Sequence, residues 1–418
     1  MPMEKKAEII IVGAGASGLA AAIQAAREGT RVIVLEHMEA AGKKILSTGN
    51  GKCNFTNRKQ GIAYYRGKDP AFVLPVLEQF GFEETLQFFE GLGIVPNGKR
   101  DGYYYPASGQ ASSVREVLLM ESRRLKVEIF YGIGIRSIEK RKGKFLFHTK
   151  QGEFVSSACI LATGGKAARK TGSDGSGIAY IRGFGHKEPV LAPALVQLEG
   201  KQEFLKELAG LRVEGRIRLL VEGEEAAADT GEIQLTSFGV SGIPAFQVSR
   251  YASFALLEGK EVKAQLDFLP GLEKGQAKDR MWRRFSVNGE GKTAREALVG
   301  LFADKLARVL LWQSGIAADR PAAQCSRKEV GRLAFAAKSL AVDIIGTKGF
   351  DAAQATAGGV DTEEIQARTM ESRLVPGLFF AGEIVDIDGM CGGYNLQWAW
   401  SSGTVAGRGA ARYLRDNG

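Results

Sequence analysis

The chain has 418 residues, too many for one ordinary core, so two or three domains are expected. Apolar residues at 44% and charged residues at 25% are typical of a globular protein in water, and the net charge of +9 is spread along the sequence. Four scattered cysteines without a CxxC pair and only three histidines argue against a disulfide scaffold, a dithiol redox motif and a metal site.

The first residues, MPMEKKAEIIIVG, lead directly into a predicted strand without a signal-like segment. No apolar run approaches the length that a bilayer requires. We therefore expect a cytoplasmic protein with no membrane partner. A nucleic-acid partner is not favoured either, because the sequence shows no basic stripe with interleaved aromatic residues.

A strand, a glycine-rich turn and a helix are predicted at the start of the chain. Ile9 to Val12 form a continuous apolar run, which is typical of a strand buried on both faces. The G-x-G-x-x-G that follows provides a tight turn, a close backbone approach to a pyrophosphate, and close helix packing. The free N–H groups at the helix start would bind phosphates. Predicted nucleotide contacts in this segment are Gly13, Ala14, Gly15, Ala16, Ser17 and Gly18.

The second predicted strand, RVIVLE, ends at Glu36. An acid at this position can accept hydrogen bonds from both ribose hydroxyls of a dinucleotide and repels a 2′-phosphate, so NADP at this site is not expected. His37, the next residue, is included in the predicted site.

A loop rich in glycine and lysine follows, with the sequence AAGKKILSTGNGKCNFTN from Ala40 to Asn57. Its length favours FAD over NAD, because an extended FAD must be held well beyond the first strand–helix–strand unit. A solvated surface loop is the alternative, and it stays open for the individual lysines. For Cys53, an inert packed thiol is the stronger expectation. Predicted cofactor contacts in the loop are Lys43, Lys44, Ser47, Gly49, Asn50, Gly51, Cys53, Asn54 and Thr56.

Two later segments also favour FAD. SSACILATGG predicts a buried strand that ends in small residues beside a nucleotide, and LVPGLFFAGEIVD predicts a strand and turn whose acid, Glu383, suits the ribityl hydroxyls. The helix start that follows would direct N–H groups towards the pyrimidine edge of a flavin. Predicted contacts are Ala162, Thr163, Gly164, Gly165, Gly382, Glu383, Gly393, Tyr394, Asn395, Leu396 and Gln397, with Ile135 beside the adenine.

The middle of the chain changes pattern twice. Alternating strands are predicted from about Leu191 to Asp267, and helical spacing from about Glu273 to Ser339. The GSDGSG motif at 172–177 follows no buried strand, so it indicates a polar loop near the flavin, and no separate nicotinamide domain is expected. The predicted fold class is α/β: a Rossmann-like, two-dinucleotide-binding FAD domain (1–190 and 345–418), interrupted by a β-rich domain (191–268) and a small helical subdomain (269–344).

The motifs GAGASGL, GKKILSTGNGKCNFTN, LTSFGVSG, ATAGGV, RTMESRLVPGLFFAGEIVDIDG and GGYNLQWAWSSG, in this order, resemble the BaiN/YhiN-like family of bacterial flavoproteins over nearly the whole chain. The resemblance implies non-covalent FAD and oxidoreductase activity, and one branch is linked to reduction of conjugated double bonds in 3-oxo bile acids. Many relatives carry a basic residue before an aromatic–Pro pair where this chain has YYYP at 103–106, so the resemblance does not fix the substrate.

We therefore expect a flavin-dependent oxidoreductase. Hydride from a transiently bound NADH or NADPH would pass through flavin N5 to an electron-poor small molecule such as a conjugated enone. The catalytic residues stay unknown; Tyr103, Tyr104 and Tyr105 are candidate proton donors only because phenols can donate. The alternatives are an FAD-containing tRNA-modifying or RNA-binding protein and a flavin sensor without turnover. The sequence does not determine the oligomeric state.

Overall fold

The computed structural model describes residues 5–99 and 101–417. The chain divides into two compact units, one formed by Met1–Ala192 with Gln354–Gly418 and the other by Pro193–Ala353. The domain boundaries given above stay a prediction. The strand Leu340–Thr347 crosses the predicted boundary at 344/345 and belongs to the second unit.

The strands, in chain order, are β1 (Lys5–Lys6), β2 (Ile9–Val12), β3 (Val32–Leu35), β4 (Thr56–Asn57), β5 (Tyr65–Arg66), β6 (Pro96–Gly98), β7 (Tyr103–Pro106), β8 (Glu128–Phe130), β9 (Ile135–Arg141), β10 (Lys144–Thr149), β11 (Glu153–Ser156), β12 (Ala158–Leu161), β13 (Ala192–Ala194), β14 (Leu198–Gly200), β15 (Arg212–Val221), β16 (Glu224–Thr236), β17 (Gly239–Gly242), β18 (Val262–Asp267), β19 (Leu340–Thr347), β20 (Ala355–Ala357), β21 (Ile365–Gln366), β22 (Glu371–Ser372), β23 (Leu378–Phe380) and β24 (Asp388–Gly389).

The α-helices are α1 (Ala16–Arg27), α2 (Lys43–Ser47), α3 (Leu74–Leu77), α4 (Phe82–Gly91), α5 (Ala111–Arg124), α6 (Gly177–Gly183), α7 (Ile243–Leu257), α8 (Lys274–Ser286), α9 (Ala294–Ala297), α10 (Asp304–Gln313), α11 (Arg327–Lys338), α12 (Gly349–Ala352) and α13 (Tyr394–Asn417). Short 3-10 helices lie at Thr48–Gly51, Ile62–Tyr64, Pro70–Val73, Arg169–Thr171, Glu203–Leu205, Ala322–Gln324, Thr362–Glu364 and Gly382–Ile384.

A seven-stranded sheet in the order β21-β22-β23-β12-β2-β3-β8 forms the centre of the first unit. Its five strands from β23 to β8 are parallel. Every residue of β2, β3 and β12 is buried, as the unbroken apolar runs predict for strands covered on both faces. The structure thus confirms the Rossmann-type α/β fold class.

Helix α1 is held against the sheet by the C-terminal helix α13. A Cβ at Gly403 or Gly407 would overlap or crowd the carbonyl oxygens of Ser17 and Ala21 in α1, so glycine permits the close approach of the two helices. This packing fixes the position of the α1 start above the ends of β2 and β12. Smaller sheets in the order β1-β11-β10-β9, β4-β7-β6 and β24-β5 also belong to this unit.

The second unit is built on a closed barrel in the order β14-β17-β16-β15-β18-β19. Inward side chains such as Leu266 and Val342 are fully or almost fully buried there. Helix residues including Phe285, Leu310 and Leu333 belong to the same hydrophobic core. The barrel and the helices from α7 to α11 therefore share one core within this unit.

Candidate functional site

The first unit contains a cavity of about 370 Å³ at the carboxyl ends of β2, β3 and β12. Ligands of open parallel sheets bind at this edge, and the volume lies in the range of small-molecule sites. The predicted cofactor residues in its wall are Gly13, Ala14, Gly15, Ala16, Ser17, Glu36, His37, Lys43, Lys44, Ile135, Ala162, Thr163, Gly164, Glu383, Asn395 and Leu396.

Three glycines shape the turn between β2 and α1. Gly13 has a φ of +101°, and a Cβ there would lie 2.5 Å from the carbonyl oxygen of Ala162. A Cβ at Gly18 would overlap the carbonyl oxygen of Gly13. At Gly15, which lines the cavity, a Cβ would meet no atom within 4 Å. The backbone at Gly15 therefore borders open space, as a pyrophosphate cradle requires.

The start of α1 supplies the polar groups of this cradle. The helix begins at Ala16 after Gly15, and no side chain caps that end. The first N–H groups of a helix have no partner within the helix, and its dipole favours an anion. Ala16 and Ser17 both lie in the cavity wall, so the helix start is available to a phosphate.

Glu36 sits at the carboxyl end of β3 and is 6% exposed. Its Oε2 accepts a hydrogen bond from the Ala14 N–H at 2.7 Å, and its Oε1 accepts one from the Met38 N–H at 2.8 Å. Burial by itself would raise the pKa of Glu36, but the hydrogen bonds from His37, Met38 and Ala14 outweigh it and hold that pKa below its ordinary value. The side chain is thus held as a carboxylate in the cavity wall.

His37 bridges two acids beside the cavity. Its Nδ1 lies 3.1 Å from Glu36 Oε1, and its Nε2 lies 4.0 Å from Asp174 Oδ2. The hydrogen bond to Glu36 raises the pKa of His37 against the opposing effect of burial, and the charge of Asp174 adds to the increase. Asp174 lies in the wall with Thr171, Gly172 and Ser173. Asp174 was not among the predicted cofactor contacts, although it lies in the GSDGSG motif.

Another part of the wall joins an early segment of the chain to a late one. Lys44 Nζ lies 2.7 Å from Glu383 Oε2, and Glu383 Oε1 accepts a hydrogen bond from the Thr356 N–H at 2.7 Å. Asn395 donates to and accepts from the backbone of Gly389, both at 2.8 Å. These contacts fix a lysine, a glutamate and an amide along the cavity beyond the helix start.

The remaining predicted cofactor residues lie outside the cavity wall: Gly18, Ser47, Gly49, Asn50, Gly51, Cys53, Asn54, Thr56, Gly165, Gly382, Gly393, Tyr394 and Gln397. Gly165 lines a separate, much smaller cavity. Direct cofactor contact by these residues stays a prediction.

Gln397 and Thr56 belong to a buried polar network. Thr56 Oγ1 donates to Gln397 Oε1 at 2.5 Å, while the Gln397 amide nitrogen donates to the Gly81 carbonyl at 3.1 Å and to Ser401 Oγ at 2.8 Å. Both residues are fully buried. Both the oxygen and the nitrogen of the Gln397 amide are therefore hydrogen-bonded within the protein, and Gln397 does not line the cavity.

The second half of the predicted loop folds onto neighbouring protein segments. Asn54 Oδ1 accepts the Tyr104 N–H at 3.2 Å, and Asn57 Nδ2 donates to the Gly392 carbonyl at 3.0 Å. In the first half of the loop, Ser47 Oγ donates to the Lys44 carbonyl at 2.9 Å. Cys53 is fully buried, and burial raises the pKa of its thiol to about 12. This thiol therefore stays protonated and unreactive.

The tyrosine strand β7 does not reach the cavity wall. Tyr104 OH accepts a hydrogen bond from Arg58 at 2.6 Å, and burial raises the pKa of Tyr105. Tyr103, Tyr104 and Tyr105 are all absent from the residues that line the cavity. Their role as proton donors stays a hypothesis.

Sequence reasoning missed several wall residues, among them Ile133 and Trp398. The Ile133 N–H donates to the Glu36 carbonyl at 2.9 Å, which places Ile133 beside Glu36, and Ile135 lines the same cavity. The two-residue spacing from Ile135 was a signal for Ile133. Trp398 is buried and donates to the Gly382 carbonyl at 3.0 Å.

The wall fits an extended FAD. Glu36 with the apolar Ile133 and Ile135 suits an adenosine, the open space at Gly15 and the uncapped helix start suit a pyrophosphate, and the Lys44–Glu383 pair extends the polar wall beyond it. Within residues 5–99 and 101–417, no group of His, Cys, Asp or Glu could hold a metal ion. The same part of the chain has no helix long and apolar enough to cross a membrane.

The fold and this cavity define a Rossmann-type FAD-binding oxidoreductase. Residues 7–409 match the family described as "HI0933-like protein Rossmann domain", and the chain belongs to that family.

Two relatives match over almost their full length. The chain is 44% identical over 406 residues to the 3-dehydro-bile acid delta(4,6)-reductase of Clostridium scindens, covering 96% of this chain and 98% of the relative. It is 31% identical over 413 residues to the ribosomal RNA dihydrouridine synthase of Haemophilus influenzae, covering 96% and 97%.

Solved structures support the fold. The 3-ketosteroid-delta4-(5alpha)-dehydrogenase of Rhodococcus jostii RHA1 superposes with a TM-score of 0.50 at 15% identity, covering 98% of this chain and 97% of the other. A flavocytochrome c3 fumarate reductase gives a TM-score of 0.51 at 16% identity, covering 98% and 79%.

Proposed function

We propose that this protein is an FAD-dependent reductase that takes hydride from NADH or NADPH and delivers it to a carbon–carbon double bond conjugated to a carbonyl group in a small molecule. The observation that carries the proposal is the cavity wall. It joins a dinucleotide cradle at Gly15 to the Lys44–Glu383 pair, in a chain 44% identical to a bile acid reductase.

Each part of the wall has a task towards the cofactor. Glu36 would accept hydrogen bonds from the adenosine ribose, because it is held ionised in the wall. The N–H groups of Ala16 and Ser17 would bind the pyrophosphate. Lys44 and Glu383 lie 2.7 Å apart and would orient the part of the FAD that extends beyond the pyrophosphate. When bound, FAD supplies the hydride-transfer chemistry.

The proposed substrate class follows from the names of the relatives. A delta(4,6)-reductase acts on carbon–carbon double bonds, and a dihydrouridine synthase produces a base with one double bond fewer. An alkene accepts hydride readily only when a conjugated carbonyl withdraws electron density from it. A 3-oxo steroid with conjugated double bonds is therefore the first substrate to test.

The test begins with the purified protein, which is expected to be yellow or to take up added FAD. Anaerobic NADH or NADPH should bleach the flavin absorbance, and a 3-oxo-4,6-diene steroid should then restore it while the dienone absorbance disappears. A colourless protein that takes up no FAD would refute the proposal. If NADH or NADPH reduces the flavin but no enone reoxidises it, the protein is either a flavin sensor or a reductase with a different electron acceptor.

The second candidate substrate is a uridine within RNA, favoured by 31% identity to a ribosomal RNA dihydrouridine synthase over nearly the whole chain. The same reduced protein is offered unmodified ribosomal RNA, and dihydrouridine is measured in the digested product by mass spectrometry. Turnover of RNA without turnover of the steroid dienone would replace the small-molecule proposal with this one.

A further inference from the structure

Glu383 has a hydrogen-bond partner that lies outside the cavity wall. Its Oε2 lies 2.7 Å from Lys44 Nζ, and Lys44 belongs to the wall. Its Oε1 accepts the Thr356 N–H at 2.7 Å. Thr356 is 1% exposed and does not line the cavity. The carboxylate is therefore supported by a buried residue behind the wall.

The side chain of Thr356 connects this support to a further segment of the chain. Thr356 Oγ1 accepts the Lys166 N–H at 2.8 Å and the Ala167 N–H at 3.0 Å. These two N–H groups follow Gly164, which lines the cavity. One threonine thus joins the segment after β12 to β20 and to the turn that contains Glu383.

Gly165 lies against both Thr356 and Glu383. A Cβ built on Gly165 would lie 2.3 Å from Thr356 Oγ1, 2.5 Å from Thr356 Cβ and 2.9 Å from Glu383 Oε1. Contacts this short require one of the neighbouring groups to move. A side chain at position 165 would therefore displace Thr356 or the Glu383 carboxylate.

The Glu383 carboxylate needs such support to keep one orientation. The terminal torsion of a glutamate side chain is broad, so a contact to one oxygen does not fix the plane of the carboxylate. The Lys44 ammonium at Oε2 and the Thr356 N–H at Oε1 together hold both oxygens. A side chain that binds a ligand loses much of its effect when its supporting residues are loose.

We propose that Thr356 is a positioning residue for the cofactor, which fixes the Glu383 carboxylate in the orientation that FAD binds. Thr356 acts on Glu383 directly through its N–H. It also acts indirectly, because its hydroxyl holds the segment in which Gly165 lies against the carboxylate. Since Glu383 is taken as a contact of the FAD beyond the pyrophosphate, this role of Thr356 rests on the proposed function.

The alternative is that Thr356 contributes only to the stability of the fold. Buried N–H groups that lose their acceptor are costly wherever they lie. A purely structural threonine would lower stability without a specific effect on FAD, and its effect would add to that of a substitution at Glu383. FAD affinity, measured apart from stability, separates the two roles.

The test compares Thr356→Val with Thr356→Ser in the full chain. Valine has nearly the shape of threonine but offers no acceptor to the Lys166 and Ala167 N–H groups, whereas serine keeps the hydroxyl. Flavin fluorescence titration of the apoprotein gives the FAD dissociation constant, and urea unfolding gives the stability. Thr356→Val should raise the dissociation constant about tenfold. Thr356→Ser should stay within about twofold of the wild type.

Ser372 provides a matched control in the same unit. It is 2% exposed and lies outside the cavity wall, and its Oγ accepts the N–H groups of Leu374 at 3.1 Å and Val375 at 3.0 Å. Ser372→Ala therefore also removes a hydroxyl that accepts two backbone N–H groups. It should lower stability, while the FAD dissociation constant stays within about twofold of the wild type.

Gly165→Ala disturbs the same support without a change at Thr356. Its methyl group would crowd Glu383 Oε1 and Thr356 Oγ1, so the FAD dissociation constant should rise about tenfold. Far-UV circular dichroism establishes that each variant is folded before the titration.

A double substitution tests whether Thr356 acts through Glu383. Glu383→Gln removes the charge that Thr356 orients, so adding Thr356→Val to it should weaken FAD binding by less than about threefold further. The proposal is overturned if Thr356→Val binds FAD as tightly as the wild type, if Ser372→Ala loses as much FAD affinity, or if the losses at Thr356 and Glu383 are additive. In those cases a wild type that binds FAD and is bleached by NADH or NADPH keeps the proposed function, whereas a wild type that binds no FAD removes both.

Discussion

Lys44 and Glu383 form an ion pair of 2.7 Å between positions 339 residues apart in the chain. The pair links the lysine-rich loop after β3 to the turn after β23, the two segments expected to surround one nucleotide. Neighbouring contacts support the same closure, since Asn57 Nδ2 donates to the Gly392 carbonyl at 3.0 Å. The cavity wall is therefore assembled from both ends of the chain.

Replacing Lys44 with Met should loosen this wall. The variant leaves Glu383, whose side chain is 18% exposed, without its cation, and a hydrogen bond between charged groups contributes about 1.5–3 kcal/mol. We expect the free energy of unfolding to fall by about 1–2 kcal/mol and FAD to bind about tenfold more weakly. Urea unfolding and flavin fluorescence titration of the apoprotein measure the two effects. Lys52→Met, an exposed change in the same loop, is the control, and equal losses in both variants would contradict this role of the pair.

Gly15 and Gly18 should respond oppositely to alanine. Gly15 has a φ of −77°, and a Cβ there meets only open space; Gly15→Ala should fold with unchanged or slightly higher stability. Its methyl group would stand where a pyrophosphate must approach, so FAD affinity should fall at least tenfold. Gly18→Ala should lower the melting temperature instead, because its Cβ overlaps the Gly13 carbonyl oxygen. Normal FAD binding by Gly15→Ala would remove Gly15 from the cofactor site.

His37 should make stability depend on pH near neutrality. Its pKa is raised above 6.5 in the folded protein, so its stabilising contribution is fully present below pH 6.5 and is lost as the pH rises through the raised value. The melting temperature of the apoprotein should therefore exceed that of His37→Asn at about pH 6, and the difference should shrink towards about pH 8.5. In an Asp174→Asn background, the difference in melting temperature between the protein with His37 and the His37→Asn variant should be smaller, because the charge of Asp174 helps to raise the pKa of His37. A difference independent of pH would contradict the assignment.

Gln397 should act on stability more than on cofactor affinity. Gln397→Leu leaves the Thr56 hydroxyl without its acceptor in a fully buried site, while the Gly81 carbonyl keeps its hydrogen bonds from Thr85. A buried unsatisfied group costs about 1–3 kcal/mol, so we expect a loss of about 1–3 kcal/mol in urea unfolding. Flavin fluorescence titration should give an FAD dissociation constant within about twofold of the wild type. A large loss of FAD affinity at preserved stability would instead support the predicted contact with the flavin.

The dinucleotide cradle could be predicted because its signals are local. The apolar run Ile9 to Val12, the glycines at 13, 15 and 18 and the acid at Glu36 follow one another within 28 residues, and each has a backbone or charge requirement of its own. The structure places Gly13, Gly15 and Glu36 in one cavity wall. Local backbone and charge requirements were therefore sufficient to predict the dinucleotide cradle.

In the loop after Glu36, the sequence did not predict which side chains reach the cavity. Its composition indicated polar contacts for Thr56, Asn54 and Lys44 alike, yet only Lys44 reaches the cavity, while Thr56 and Asn54 bond to Gln397 and Tyr104. The direction of a loop side chain depends on partners that lie hundreds of residues away. Asp174 was missed for the same reason, since only folding brings it beside His37.

The sequence by itself determined the class of this protein: a parallel sheet with a glycine-rich turn, an acid at the end of the second strand and a family pattern along almost the whole chain. Those features depend on residues that are close in the sequence, and their conformational preferences and charges do not depend on tertiary contacts. Only the tertiary structure decided which side chains enter the cavity and that α8 packs against α11. Both depend on contacts between distant segments, which backbone preferences do not encode.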